Sequence, residues 1–165
     1  MKQVINIVLE IDDKIKTLRN KYDSNSSEFL PHMTLVFPFG YRDQNKLECH
    51  IKKSLKKMQV FEVSLEEIEE SYPFIQFRIK NGKKEFLELR KKLNSGILKN
   101  IGEKAPLKHP PHMTIGVVEN KKEFKEVVKE LKKLKLIFKT NIDKITLMTL
   151  DEDMRMKKKE EFGLK

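Results

Sequence analysis

The chain has little cysteine. A single residue, Cys49, stands in 165, so no internal disulfide forms and no Cys-x-x-Cys motif can hold a metal or exchange thiols. Long apolar runs are also missing. Nothing approaches the roughly 20 apolar residues of a membrane-spanning helix, and the apolar stretch of "MKQVINIVLEIDDK" is too short for a signal peptide, with acids directly after it. The expectation is a cytoplasmic protein with no membrane association. Low-complexity sequence is absent apart from a Lys/Glu bias in the expected helices. Arginine is scarce, five of 35 basic residues. Readers of base sequence lean on the bidentate fork of arginine. The formal net charge of +10 is therefore read as support for a phosphate-bearing ligand, such as a nucleotide or RNA end. No obligate protein partner is legible.

What is present is a soluble globular composition, 36% charged and 38% hydrophobic, long enough for one domain or two small lobes sharing a core. Period-two and helical spacings predict a strand over 3–11, a helix from Asp12 or Asp13 with Ile15, Leu18 and Tyr22 on one face, and a strand from His32 to about Phe37. A helix over 43–58 and a strand over 59–68 follow. The pattern then restarts. "PFIQFRIK" (73–80) alternates as a strand, "NG" breaks it, and a helix covers 83–98 with Phe86, Leu89, Leu93 and Ile97. A loop leads to a strand from His112 to about Val118, an amphipathic helix over 121–134, one long or two short strands over 136–150, and a last strand in "RMKKKEEFGL". Strand–helix–strand–helix–strand thus occurs twice, with "LEEIEESYP" (65–73) as midpoint. That predicts an α+β fold of two lobes related by a pseudo-twofold duplication.

The duplication also repeats four letters. "PHMT" stands at 31–34 and again at 111–114, in a chain with only four histidines and six threonines. Residues i and i+2 of a strand share a face. His32 and Thr34 therefore point one way, with Met33, Leu35 and Phe37 toward the core. His112 and Thr114 repeat this, with Met113, Ile115 and Val117 inward. Gly116, on the His112 face, leaves room for an approach to the backbone. Pro31 and Pro111 stiffen the entry to each strand. Two such pairs facing each other across a groove suit acid–base chemistry at phosphorus. One neutral imidazole takes a proton, one imidazolium gives one, and the threonine hydroxyls donate to phosphate oxygens as charge builds there. No cofactor is implied.

Two H-x-T motifs on apolar-flanked strands, about 80 residues apart, resemble the 2H phosphoesterase superfamily, which includes bacterial 2′-5′ RNA ligase-like proteins and cyclic nucleotide phosphodiesterases. "PHMTLVFPF" followed much later by "PHMTIG" is similar to a compact bacillar/clostridial branch. The resemblance covers nearly the whole chain. It implies two antiparallel-rich sheets lining a central cleft, with helices outside. It also implies metal-independent opening of a 2′,3′-cyclic phosphate, or transfer at a 2′-5′ linkage, on RNA ends or small nucleotides. His32 and His112 become the acid–base pair in either order, and Thr34 and Thr114 the phosphate clamps.

Rival readings are concrete. A zinc site would draw on His32, His112 and His109, with His50 or Cys49, but no carboxylate lies beside either motif to complete a ligand set. His109 and Lys108 either reach the cleft rim or sit on an exposed loop. Arg78 and Gln76 face the cleft or solvent, and Arg78 is the candidate phosphate contact. Phe39, Tyr41 and Tyr72 are candidates to stack on a base or to pack. The same groove could also bind a nucleotide or RNA phosphate without turning it over, and the Lys-rich faces could hold RNA independently of both motifs.

Overall fold

The computed structural model describes residues 1–102 and 109–165. Short polar side chains set three of the four α-helices among these residues. Asp12 accepts from the backbone N–H of Ile15 at 2.9 Å and starts α1 (Asp13–Tyr22). Asp43 does the same for Lys46 at 3.1 Å and starts α2 (Gln44–Leu55). Asn120 takes the N–H groups of Lys122 and Glu123, each at 3.0 Å, and starts α4 (Lys121–Lys133). Each bond satisfies a donor that the first turn leaves open. The remaining helix, α3 (Lys83–Leu93), starts from Gly82 at φ +79°, where a Cβ would sit 2.3 Å from the Glu62 carbonyl oxygen. Only glycine fits that corner.

Among the described residues, eight strands form two antiparallel sheets. In chain order they are β1 (Lys2–Val8), β2 (His32–Phe39), β3 (Phe61–Ser71), β4 (Phe74–Asn81), β5 (His112–Val117), β6 (Phe138–Ile142), β7 (Lys144–Leu150) and β8 (Met156–Gly163). The first sheet runs β2-β1-β7-β8 and the second β5-β4-β3-β6. The expected α+β fold with two antiparallel sheets is therefore present. The two sequence repeats, however, do not each fold into their own sheet. The third strand of the first repeat, β3, lies in the second sheet, and β7 of the second repeat lies in the first. The cause is local. Only Tyr72 and Pro73 separate β3 from β4, and so short a connection joins neighbours in one sheet. The expected midpoint 65–73 is thus the far half of β3 and its turn. At the other end Asp143 alone separates β6 from β7, so the predicted strand region 136–150 is two strands in different sheets.

The helices cross over in the same way: α1 packs on β5 and α3 on β2. One main core therefore runs through both repeats, with Ile5, Met33, Phe77, Phe86, Met113 and Ile145 all fully buried. Neither repeat buries its apolar face alone. The exchange brings β2 and β5, the two motif strands, into contact between the sheets.

Candidate active site

Each motif strand begins in the same way. The Pro31 carbonyl accepts from Leu9 N–H at 2.9 Å, and the Pro111 carbonyl accepts from Ile79 N–H at 3.2 Å. The histidine ring then turns back on its own backbone. His32 Nδ1 lies 2.7 Å from the Leu30 carbonyl, and His112 Nδ1 lies 2.9 Å from the Pro110 carbonyl. A carbonyl only accepts, so Nδ1 carries the proton in both rings and each Nε2 is left for chemistry.

A bulge follows each threonine. Asn6 pairs with Thr34 but Ile5 pairs with Val36, so Leu35 is extra; Gln76 pairs with Thr114 but Ile75 pairs with Gly116, so Ile115 is extra. An extra residue resets the alternation of faces. Phe37 and Val117, expected in the core, instead line the cleft. Gly116 turns inward, and the room beside it is taken by the protein's own α1: its Cβ would stand 3.4 Å from Tyr22 Cβ and 3.1 Å from Ile75 Cδ1.

His32, Thr34 and Thr114 converge on one cavity of about 300 Å³. Asn6 and Arg19 line it as well. His112 is not among its lining residues; it stands two positions before Thr114 on β5 and shares that residue's face of the strand. Its ring packs against that of His109 at 4.9 Å between centroids, and Arg78 is its cross-strand partner on β4. Arg78 is tied to Glu69 and, at 3.4 Å, to Gln76 Oε1. His109 and Arg78 thus adjoin His112 rather than line the cavity, while Lys108 lies outside the described residues. The other two expected contacts do not reach it. Phe39 is 2% exposed and belongs to the core, because it closes the strand on the inward face. Tyr72 sits in the β3–β4 turn, donates to the Glu119 carbonyl and packs edge-on against Phe124 of α4 at 5.3 Å. Tyr41 packs against the core.

Two arginines hold the approaches to the histidines. Arg19 of α1 donates to the Phe29 carbonyl at 2.6 Å, and Arg90 of α3 donates to the His109 carbonyl at 2.6 Å. Phe29 and His109 each precede their motif histidine by three positions. Arg19 is also paired with Asp23 at 3.1 Å, and Arg90 reaches across to the Thr34 carbonyl at 2.8 Å. Arg90 therefore binds both motif segments at once. Both arginines are buried, at 6% and 4% exposure. The signal for them was a cation inside an apolar helix stripe, Arg19 four residues after Ile15 and Arg90 four after Phe86.

Burial sets the charge state of the pair. It pushes His112 down to about 4, with His109, Arg78 and Arg90 adding to the effect and the Pro110 carbonyl opposing it. Burial also lowers His32; the Leu30 carbonyl opposes this, Arg19 adds to it, and Asp23 works against it. Both rings are thus neutral at rest near neutral pH. Between about 4 and 6.5 the unfolded chain binds a proton at His112 that the native site does not, so stability falls as pH falls through that window. The expected loss attributable to His112 is up to about 3 kcal/mol. Urea unfolding at pH 7 and pH 5 checks it: His112→Gln should flatten the pH slope relative to wild type.

The profile of the 2′-5′ RNA ligase superfamily matches residues 7–154. A protein of Geobacillus sp. (strain WCH70), provisionally named a phosphoesterase, is 31% identical over 142 residues, covering 84% of this chain and 80% of its own. Among solved structures, Kluyveromyces marxianus Usb1 with uridine monophosphate superposes with a TM-score of 0.60 at 9% identity, over 99% of this chain and 98% of that one. E. coli LigT complexed with 3′-AMP superposes with a TM-score of 0.55 at 11% identity, over 100% and 97%. At such identities the structural matches speak for the fold.

Proposed function

The chain belongs to the 2′-5′ RNA ligase superfamily of 2H phosphoesterases, and from that premise we propose that it is a metal-independent phosphodiesterase acting on 2′,3′-cyclic phosphates or 2′-5′ linkages of RNA ends or small nucleotides. The observation that carries this reading is the pair of H-x-T strands from the two repeats. Three of the four motif side chains share a single cavity, and both histidines have Nδ1 bonded back and Nε2 free. The nucleotide complexes of Usb1 and LigT support a nucleotide class of ligand.

The lining of the cavity is lopsided, and that favours different tasks for the two histidines. It opens beside His32 and not beside His112, so the nucleoside sits on the His32 side of the phosphate. In-line displacement at phosphorus places nucleophile and leaving oxygen on opposite sides. Water therefore enters from the His112 side. His112 Nε2 takes its proton as the oxygen bonds to phosphorus, the bond from phosphorus to the ribose oxygen breaks, and His32 Nε2 gives that oxygen its proton. The product is a nucleoside monophosphate, and solvent restores both imidazoles. The neutral resting state of His112 suits the base. The anionic phosphate, held by the Thr34 and Thr114 hydroxyls, raises His32 toward the protonated form the acid needs.

The test is turnover of nucleoside 2′,3′-cyclic monophosphates and 2′-5′ dinucleotides with a chelator present. Conversion to the monophosphate at rates indifferent to the chelator is the expected result. Thermal stabilisation by these compounds with no product from any of them would instead make the protein a binder.

A further inference from the structure

The cleft face of the first sheet carries an apolar cluster separate from the main core. Val4, Met148 and Leu150 are buried there, with Val8 and Met154 packed against them. Val4, Met148, Leu150 and Met154 line the cavity that holds His32, and Met156 joins them from the start of β8. Four of the large apolar side chains exposed on this highly charged protein, Phe29, Leu30, Phe74 and Met156, stand around the same cavity. An apolar surface kept open beside a catalytic pair is a ligand surface. Thioethers are polarizable and adapt to flat rings.

One polar group interrupts this floor. Asn6 of β1 is 3% exposed and is the cross-strand partner of Thr34. Its Nδ2 faces the Met148 sulfur at 3.7 Å, and its Oδ1 has no protein partner. A thioether accepts and does not donate, which sets the amide orientation and leaves the oxygen as an acceptor without a donor. Buried polar atoms without partners are rare and call for an explanation. Among the described residues the cavity has one cation, Arg19, already held by Asp23 at 3.1 Å, and a carboxylate, Glu28, stands beside them. The lining favours an uncharged group over a second phosphate. The volume, about 300 Å³, is at the small end of ligand sites and suits one compact group rather than a polymer.

We propose that this floor seats the uncharged, apolar-faced ring of the substrate, and that Asn6 Oδ1 accepts a hydrogen bond from an N–H or O–H on it. The chemistry is that of a nucleoside, and either its base or its sugar could supply the donor. The proposal rests on the phosphodiesterase reading.

The experiment compares kcat/KM for a nucleoside 2′,3′-cyclic phosphate, a baseless 1-deoxyribose 2,3-cyclic phosphate and glycerol 1,2-cyclic phosphate. Wild type is expected to prefer the nucleoside over glycerol by roughly a hundredfold, with the baseless sugar showing whether base or sugar earns the preference. Met154→Ser/Met156→Ser, in the β7–β8 turn and at the start of β8, should cut that ratio about tenfold. Asn6→Leu should cut it too, while raising Tm by roughly 2–4 °C because the unpartnered acceptor is gone. A purely structural Asn6 would lower Tm and leave the ratio alone, which would overturn its role. Equal use of nucleoside and glycerol substrates by wild type, or a ratio unmoved by the methionine changes, would overturn the seat. If wild type turned over none of the three, the phosphodiesterase reading itself would fall, and the seat with it.

Discussion

Replacing His112 by alanine is expected to lower kcat/KM on a nucleoside 2′,3′-cyclic phosphate by about 10³-fold, and replacing His32 by a similar factor, since a positioned acid or base contributes typically 10²–10⁴. Neither change should unfold the protein. Each ring stands on the cleft face and makes one bond to its own segment's backbone. The two losses differ in kind, and a substrate separates them. If sulfur replaces the bridging oxygen that leaves from the ribose, the leaving group departs as a thiolate and needs no proton. His32→Ala should then lose less than tenfold on the sulfur-bridged compound, while His112→Ala remains crippled, because water must still be deprotonated. Rescue of His112→Ala instead would reverse the roles. Rescue of both or of neither would end the division of labour argued from the lopsided cavity. Circular dichroism and Tm on each variant confirm that the comparison is made on folded protein.

The proposed division of labour was hidden in the sequence by the same symmetry that pointed to the candidate site. Two copies of "PHMT" pointed to His32, His112, Thr34 and Thr114 because strand alternation puts each pair on one face. Element types were also legible, since the apolar spacings of α1, α3 and α4 and the alternation in β4 depend on local sequence alone. Connectivity was not. Pairing β3 with β4 follows from a two-residue turn whose residues look, in sequence alone, like a boundary between lobes. The bulges at Leu35 and Ile115 were invisible for a related reason. An extra residue in a strand is defined by the partner strand, so Phe37 and Val117 seemed to continue an inward pattern that the pairing resets. Arg90 and Asn6 take their roles from contacts made across the strand exchange or across a sheet, as when Arg90 reaches Thr34 56 positions away. Phe39 and Tyr72 went astray for a simpler cause: an aromatic ring gives the same letter whether it stacks on a ligand or fills a core.

Arg90 offers the second large effect, because it joins what the repeat separates. One guanidinium donates to the Thr34 carbonyl from the first motif and to the His109 carbonyl leading into the second, at 2.8 and 2.6 Å. It also stacks over Phe86 at 4.8 Å. Arg90→Met keeps the apolar stem but strands both carbonyls. The expected cost is about 2–4 kcal/mol in stability and roughly ten- to a hundredfold in kcat, since a misplacement of about 1 Å between acid and base costs on that order. Loss of stability alone would mark a structural residue, so the decisive readout is the pH profile. Burial does most to hold His112 down, at about 4, and Arg90 adds a smaller push after His109 and Arg78. Without the cation His112 rises, and a base works only above its pKa, so the acid limb of kcat/KM should move to higher pH. Arg90→Lys keeps the charge but cannot span two carbonyls with one fork. It should leave the acid limb near its wild-type position while losing part of kcat. A limb that stays fixed in Arg90→Met, or moves equally in both variants, would mean that Arg90 holds the strands together without tuning the base between them.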